Sequence, residues 1–466
     1  MTPTEAHVRN GGGDPAAPAL RVVGAELVWT GGRELEGVTV TCRDGRVASL
    51  DRGVDGDGDL PTGGDPALGQ VLDATGCVVT PGLVNAHHHL LQCAFRTLPA
   101  TRHVPMREWL AAMAVAYARG GVDAELVGAA AWCGLAESVL SGVTTVSDHH
   151  LSWPEGCDQT ALASASAAAA RALGVRLVFV RGSAGDDPDV AASGVETLAS
   201  AFGVGAGGVA GDGMLQLAVG PAGVHSDGRE TFDNLADVAA RYGLRRRTQA
   251  NEQVDVEMAA SRHGRRPLEL LEEWGWLAPD VTLAHLCQIT EPELRRVAGS
   301  GASATHAPAC DLPMGWGLSP VGALLDRGVV VGLGTSGGGS NDAGHLLADA
   351  RLAMQVAPLA GLAGRAVTAR TALQMATAGS AAGLGRAELG VLEPGSAADL
   401  CCWDVSGVTD AGVADPLAGL LWAGPGRRPR HVVVDGRVVV RDGVLQNAEQ
   451  SELAQRLNRL VRERMG

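Results

Sequence analysis

The stretch PGLVNAHHHL (residues 81–90) is an apolar run that ends in three consecutive histidines. Successive side chains of a β-strand point to opposite faces, so His87 and His89 share one face and His88 lies on the other. Two imidazoles at this spacing can bind one divalent ion, and neutral imidazole suits zinc or iron. We therefore predict a strand that ends in a metal-binding pair, with His88 in a structural hydrogen bond.

The region from about residue 79 to residue 388 alternates strand-like runs with helix-like stretches. The eight strand-like runs are CVVTPGLVNA, TTVSD, RLVFVRG, LQLAVGP, LRRRTQAN, VTLAHL, SATHAP and VVVGLGT. Eight such units in a row predict an α/β fold, a (β/α)8 TIM-type barrel, with a doubly wound open sheet as the alternative. A GxGxxG fingerprint does not follow the first strand, which weakens the dinucleotide-binding form of that alternative.

Short β-rich runs broken by Gly-Gly and Asp-Gly turns flank this region on both sides. They predict a small β-sandwich built from both ends of the chain, residues 21–78 and 389–448, around a barrel over residues 79–388. The Gly- and Pro-rich residues 1–20 are predicted to be disordered. The amphipathic pattern of residues 449–466 predicts a C-terminal helix.

The composition excludes several classes of function. A formal net charge of −15 argues against nucleic acid or an anionic membrane as a partner. All the basic residues are arginine, which excludes lysine-based chemistry. The chain has no apolar run of the roughly 20 residues needed to span a bilayer. The start of the sequence lacks a secretory pattern, and the nine cysteines form no CxxC pair. We therefore expect a cytoplasmic protein with reduced thiols and a small-molecule partner.

Most histidines stand where a predicted strand ends. In a (β/α)8 barrel the active site lies at the C-terminal ends of the strands, so the histidines there are expected to gather on one rim. Eight of the thirteen obey this rule: His87, His88, His89, His149, His150, His225, His285 and His306.

Several motifs resemble those of the amidohydrolase superfamily. They are PGLVNAHHHL, SGVTTVSDHH, VTLAHL, DLPMGWGLSPV, GTSGGGSNDAGHLLADARLA and LGVLEPGSAADL. Within the superfamily the chain resembles the branch that contains s-triazine hydrolases, 8-oxoguanine deaminases and related aminohydrolases of N-heterocycles. The resemblance extends over the whole chain from about residue 20. It implies an enzyme acting on C–N or C–X bonds of a purine-, pteridine- or triazine-like ring, and it suggests a homodimer.

The resemblance also implies roles for individual residues. His87 and His89 match the metal ligands of the first strand, Glu252 matches the proton-shuttling glutamate, and His285 matches the histidine that steadies the attacking hydroxide. Two ligand positions depart from the pattern. Gln249 replaces the histidine of the fifth strand, and Ser336 replaces the aspartate of the eighth strand.

Three alternatives follow from this incomplete ligand set. In the first, one divalent metal such as Zn²⁺ is held by His87 and His89 with help from Gln249, Glu252 or His285, and its hydroxide displaces a ring substituent. In the second, the protein binds no metal, and the imidazoles with Glu252 catalyse elimination, addition or cyclisation on a related heterocycle. In the third, the barrel only binds a heterocycle.

The remaining candidates are expected to contact the substrate. Strand alternation turns either His149 or His150 inward, and we favour His150. His225 and His306 end the fourth and seventh strands, with packing as the alternative role. Trp316 and Trp109 could stack on or enclose a flat ring. Gln249 and Ser336 complete the predicted substrate-binding set.

Overall fold

The computed structural model of the chain describes residues 19–52 and 69–466. The segment 1–20, predicted to be disordered, lies outside the described residues except for residues 19 and 20. Leu20 is buried and begins the first β-strand, so the predicted disorder does not extend to this residue.

The described part of the chain contains twenty β-strands and fifteen α-helices. The strands are β1 (Leu20–Val23), β2 (Leu27–Trp29), β3 (Glu34–Leu35), β4 (Val38–Arg43), β5 (Arg46–Arg52), β6 (Gln70–Asp73), β7 (Cys77–Pro81), β8 (Leu83–His89), β9 (Val143–His150), β10 (Arg176–Ser183), β11 (Leu215–Pro221), β12 (Arg245–Ala250), β13 (Val281–His285), β14 (Ser303–His306), β15 (Val331–Leu333), β16 (Ser336–Gly337), β17 (Leu400–Asp404), β18 (His431–Val434), β19 (Arg437–Arg441) and β20 (Val444–Leu445). The helices are α1 (Met106–Gly120), α2 (Ala124–Leu140), α3 (Gln159–Leu173), α4 (Pro188–Phe202), α5 (Arg229–Tyr242), α6 (Gln253–His263), α7 (Pro267–Glu273), α8 (Glu291–Ser300), α9 (Pro308–Asp311), α10 (Val321–Asp326), α11 (Leu346–Val356), α12 (Ala369–Gln374), α13 (Ser380–Gly383), α14 (Pro416–Trp422) and α15 (Gln450–Met465).

Two sheets lie outside the barrel, and the larger of them combines strands from both ends of the chain. One has the order β5-β4-β1-β6, and the other has the order β20-β19-β18-β17-β7-β2-β3. The two ends meet where β7 pairs antiparallel with β17, which places Leu400 opposite Pro81. The alternation of β1 and β4 buries Val22 and Val40 in a shared apolar core with Leu400.

The third sheet is a closed barrel. Strands β8 to β15 run parallel, each beside its neighbours in the chain, and β16 closes the ring by pairing Ser336 with His88. This confirms the predicted fold class. The predicted eighth strand, residues 329–335, is shortened to β15, and β16 follows it after a break. The break falls at Gly334, where a Cβ atom would lie 2.7 Å from the His87 carbonyl oxygen, so the chain passes β8 too closely for any side chain.

The helices pack outside the barrel strands, and local signals fix their ends. Helices α2, α3 and α4 begin after Asp123, Asp158 and Asp187, whose carboxylates accept hydrogen bonds from backbone N–H groups of the first turn. Helices α3 and α4 end at Gly174 and Gly203, which adopt the left-handed conformation. No helix in the described ranges is long and apolar enough to cross a membrane.

Arg176, at the start of β10, links the barrel to the outer sheets. Its guanidinium donates hydrogen bonds to Asp399 at 2.8 and 3.0 Å and to Asp435 at 3.1 Å. The side chains of Arg176 and Asp399 are only 4% and 1% exposed. Such a buried pair tolerates the loss of one partner poorly, because the other charge is then left unpaired in a medium of low polarity.

We therefore expect Arg176→Met to lower the free energy of unfolding by about 3–5 kcal/mol. Arg171→Met is the matched control, because the Arg171–Asp212 pair is 65% and 44% exposed. Exposed pairs of this kind contribute ~0–1 kcal/mol. Urea unfolding followed by circular dichroism measures both variants, and equal losses in the two would contradict the linking role of Arg176.

Candidate active site

A cavity of about 430 Å³ opens at the C-terminal ends of the barrel strands. Most of the residues predicted for the site line it: His89, Trp109, His150, His225, Gln249, Glu252, Trp316 and Ser336. Its position agrees with the general rule that barrel enzymes build their active sites from the loops at this end.

The backbone is strained where three strands end at this cavity. Asn251, His285 and Ser336 have φ angles of 56°, 74° and 54°, in the left-handed region that non-glycine residues seldom adopt. Each such residue costs on the order of 1–3 kcal/mol and persists only where its surroundings hold it. At Asn251, the backbone N–H donates to the carboxylate of Asp255 at 2.9 Å. Strain of this kind is concentrated at functional sites.

Glu252, His285 and Asp311 form a row of charges beside the cavity. His285 Nδ1 donates to Asp311 at 2.7 Å, and its Nε2 lies 3.3 Å from both Glu252 Oε1 and Gln249 Oε1. All three charged side chains are buried. Burial lowers the pKa of His285, but Asp311 and Glu252 outweigh this effect and raise that pKa above its usual value.

Glu252 has the surroundings of a proton carrier. It precedes helix α6, and neither of its carboxylate oxygens has a hydrogen-bond partner among the residues that the structure describes. Burial raises its pKa to about 7, although His285 opposes the shift. A carboxyl group with a pKa near neutrality can both take up and release a proton at physiological pH.

Asp311 was not identified from the sequence, although it opens the motif DLPMGWGLSPV. Burial would raise its pKa, but the adjoining His285 lowers it to about 2, so the group stays ionised. His306 was predicted to contact substrate, with packing as the alternative. Its ring is not among the residues that line the cavity, and its Nδ1 lies 3.4 Å from Asp311 Oδ2, which agrees with the packing role.

The other inward-facing histidines form a second cluster, whose ring centroids lie 4.8 Å (His87–His89) and 6.0 Å (His87–His149) apart. His89 Nδ1 donates to the His149 carbonyl at 2.7 Å, so its Nε2 holds a lone pair. His149 Nε2 donates to the Gly220 carbonyl at 2.9 Å, so its Nδ1 also holds a lone pair. Burial lowers the pKa of His89 to about 3, which keeps that ring neutral.

Both His149 and His150, the residue that we favoured, line the cavity, and His149 is the one that packs with His87 and His89. The ring of His150 packs against Trp153 and Phe179 at centroid distances of 4.6 and 5.7 Å, and its Nε2 bonds to the Ser152 carbonyl. His150 still lines the cavity, but it does not join the cluster of His87 and His89. His88 bonds to the Ser336 carbonyl through Nδ1, as expected of a structural histidine.

Arg247 contacts the histidine cluster through His87, and it was not identified as a site residue from the sequence. It is two residues before Gln249 in β12, so strand alternation could have placed it inside the barrel. Its guanidinium donates to Ser147 Oγ at 2.7 Å and to His87 Nδ1 at 3.4 Å. Burial lowers the pKa of Arg247 to about 9, which still leaves it positively charged at neutral pH.

The donors around His87 and His89 do not fit a catalytic divalent metal, which normally has three protein ligands. In the described ranges, no trio of His, Cys, Asp or Glu donor atoms within 4.8 Å of one another includes either histidine. The Gln249 amide oxygen lies within hydrogen-bond distance of His285 Nε2, and Ser336 offers only a neutral hydroxyl. The carboxylate that would balance the charge of the ion is missing from this set.

The upper wall of the cavity is apolar. Helix α1 contributes Met106, Leu110 and Met113, while Trp109 fixes its ring by donating from Nε1 to the Gly339 carbonyl at 3.0 Å. Trp316 closes the opposite side, with its ring edge-on to His285 at 5.1 Å. No arginine is found among the described residues that line the cavity.

Comparison with known proteins places the chain in a family. Residues 78–439 match the model of the Amidohydrolase family. The chain is 34% identical over 426 residues to 8-oxoguanine deaminase of Pseudomonas aeruginosa, which covers 89% of this chain and 92% of that protein. It is also 34% identical over 409 residues to 5-methylthioadenosine/S-adenosylhomocysteine deaminase of Halobacterium salinarum, with 86% and 91% covered.

A solved structure agrees with these relatives. Atrazine chlorohydrolase of Arthrobacter aurescens, determined in complex with zinc, superposes with a TM-score of 0.85 at 33% identity, and 95% of this chain and 100% of that chain are covered. The membership predicted from the sequence motifs is thereby confirmed: the chain belongs to the amidohydrolase family.

Proposed function

We propose that this protein hydrolyses an N-heterocycle, replacing an amino group or another substituent on a ring carbon with oxygen. The observation that carries the proposal is the buried Glu252 carboxylate, which lines the cavity with both oxygens free of described hydrogen-bond partners and with His285 3.3 Å away. The relatives whose names record an activity are deaminases and a chlorohydrolase, which supports the same class of reaction.

The reaction needs a base, a proton carrier and a fixed cation, and the chain offers each. Ionised Glu252 takes a proton from a water molecule in the cavity, and the water oxygen bonds to the electron-poor ring carbon. Protonated Glu252 then gives that proton to the leaving amine as the carbon–nitrogen bond breaks, so the products are a ring carbonyl and ammonia. His285, held by Asp311, supplies positive charge beside the developing anion.

The cavity also limits the substrate. The lone pair of His89 Nε2, on a ring that lines the cavity, can accept a hydrogen bond from a ring or exocyclic N–H group. The apolar wall from α1 suits a hydrocarbon or thioether substituent, and the absence of arginine from the described lining disfavours a phosphate. We therefore propose an amino-substituted heterocycle that carries an uncharged, apolar substituent.

A second candidate is acid/base catalysis without hydrolysis, and the poor fit of a metal to His87 and His89 favours it. Asp148 also lines the cavity, and burial raises its pKa to about 6. Two carboxyl groups that titrate near neutrality suit proton transfer, elimination or cyclisation on a related ring. Ammonia release and incorporation of ¹⁸O from labelled water support hydrolysis, whereas exchange of ring protons with solvent without either product supports the second candidate.

Glu252→Gln removes the proton carrier while keeping its size. We expect kcat to fall by roughly 10²–10⁴-fold, because this is the usual contribution of a positioned acid or base. Glu257→Gln is the matched control, since Glu257 lies on the same helix with its side chain in solvent. Turnover is measured by ammonia release from a panel of aminopurines, aminopteridines and aminotriazines. Equal activity of the two variants would overturn the role of Glu252.

The pH profile follows from the direction of the pKa shifts. Glu252 must be ionised to act as a base, so kcat/KM is expected to rise with pH through about 7. Loss of the His285 proton lowers activity again at a higher pH, because Asp311 and Glu252 raise the pKa of that imidazole. Initial rates across the neutral range test this, and a profile that is flat through pH 7 would count against Glu252 as the base.

Leu110→Gln places an amide on the apolar wall. We expect KM for a substrate with an alkyl substituent to rise by about tenfold, since burying such a group against a leucine contributes about 1.5–3 kcal/mol. The matched control is Val115→Gln, because Val115 lies on the solvent face of α1 and is 68% exposed. The alkyl-substituted and unsubstituted heterocycles are compared, and an equal KM change for both would contradict the apolar subsite.

A further inference from the structure

Arg247 is a buried cation without an acidic partner. It is 3% exposed, and no carboxylate of the described residues lies within 4.0 Å of its nitrogens, unlike the buried Arg176 with its two aspartates. Its Nε atom has no hydrogen-bond partner in the described part of the chain. Burying a charged group without an opposite charge costs free energy, so an unpaired buried arginine is unusual.

The guanidinium also fixes the hydrogen of His87. A guanidinium has only N–H donors, so His87 Nδ1 must accept the bond from Arg247 with its lone pair. In the neutral ring the hydrogen then resides on Nε2, which is buried and has no partner among the described residues. Metal-binding histidines show the opposite arrangement, in which one ring nitrogen donates to a carboxylate or carbonyl and the other keeps its lone pair for the metal.

Three features of this barrel have the same effect on the charge near His87. The fifth strand offers the amide of Gln249 and the eighth strand the hydroxyl of Ser336, which removes one histidine and one negative charge from the expected ligands. The fifth strand also brings the positive charge of Arg247 to the inner side of His87. The absence of an anion from these ligand positions and the presence of a cation beside His87 both disfavour a divalent ion at this place.

We propose that Arg247 takes the place of the divalent metal: its guanidinium supplies the fixed positive charge beneath the cavity and holds His87 in the tautomer whose Nε2 carries a hydrogen. Arg247 acts through His87 and is a positioning residue. The His87 ring packs among those of His89, His149 and His285, at centroid distances of 4.8, 6.0 and 5.1 Å, and its Nε2–H group is buried within this cluster.

Zinc binding tests the proposal without reference to turnover. Four proteins are compared after dialysis against zinc-free buffer: wild type, Gln249→His, Arg247→Leu/Gln249→His and Arg246→Leu/Gln249→His. Elemental analysis gives the zinc retained per chain, and calorimetric titration with Zn²⁺ gives the affinity. Arg246 is the matched control, because it is the neighbouring arginine of β12 and pairs with Asp280 instead of facing His87.

We expect wild type to retain no stoichiometric zinc. The double variant Arg247→Leu/Gln249→His is expected to bind zinc roughly 10–100-fold more tightly than Gln249→His alone, the effect typical of residues that orient metal ligands. The control variant Arg246→Leu/Gln249→His should bind zinc with the same affinity as Gln249→His. One zinc per chain in wild type, or equal affinity with and without Arg247, would overturn the proposal. Arg247→Met replaces Arg247→Leu if the latter does not fold, and the wild-type result needs no variant.

Zinc retention and product release by wild type separate the role of Arg247 from the proposed hydrolysis. If wild type hydrolyses heterocycles but loses activity with a chelator and regains it with Zn²⁺, the proposed function survives and the role of Arg247 is wrong. If wild type retains no zinc and releases no product from any heterocycle of the panel, the role of Arg247 survives and the proposed hydrolysis is wrong.

Discussion

The hydrogen bond from Arg247 to His87 Nδ1 is the interaction on which the chemistry of this site depends. It brings a positive charge to within 3.4 Å of one histidine of the pair that gives the first barrel strand its most distinctive feature. It also decides which nitrogen of that histidine carries the hydrogen. The proposal therefore gives this histidine pair a role other than metal binding, because β12, four strands away around the barrel, supplies a cation.

The rest of the site is consistent with this arrangement of charge. Asp311, ionised in the interior, holds His285, and His285 in turn lies beside Glu252. Asn251, His285 and Ser336 adopt the left-handed conformation beside these groups, and such a conformation persists only where the surrounding barrel holds it. The apolar wall from α1 then excludes water from one side of the cavity, which strengthens the interactions between the charged groups.

The fold and the outline of the site could be predicted from the sequence, because they follow from periodicity. The alternation in PGLVNAHHHL places His87 and His89 together, and the order of strands and helices predicts a barrel with its active site at one rim. The match to the amidohydrolase family agrees with both. Glu252 and Trp316 line the cavity because they follow strand ends, as the barrel rule requires.

The details that decide the chemistry could not be predicted, because they depend on contacts between distant residues. Alternation allowed either His149 or His150 to face inward; both line the cavity, and His149, which bonds to the carbonyl of Gly220 two strands away, lies beside His87 and His89. Asp311 reaches His285 from a separate helix, 26 residues later in the chain. Alternation places Arg247 on the inner face of β12, but its bond to His87 depends on closure of the barrel, which brings together β12 and β8.

The most direct test of this account is the position of the hydrogen on the His87 ring. Long-range ¹H–¹⁵N spectra of wild-type protein labelled with ¹⁵N-histidine, with the His87 signals assigned from a His87→Gln variant, distinguish the two tautomers. The account predicts a protonated Nε2 and an unprotonated Nδ1, unchanged when Zn²⁺ is added. A protonated Nδ1 with a free Nε2 that shifts on addition of Zn²⁺ would contradict it.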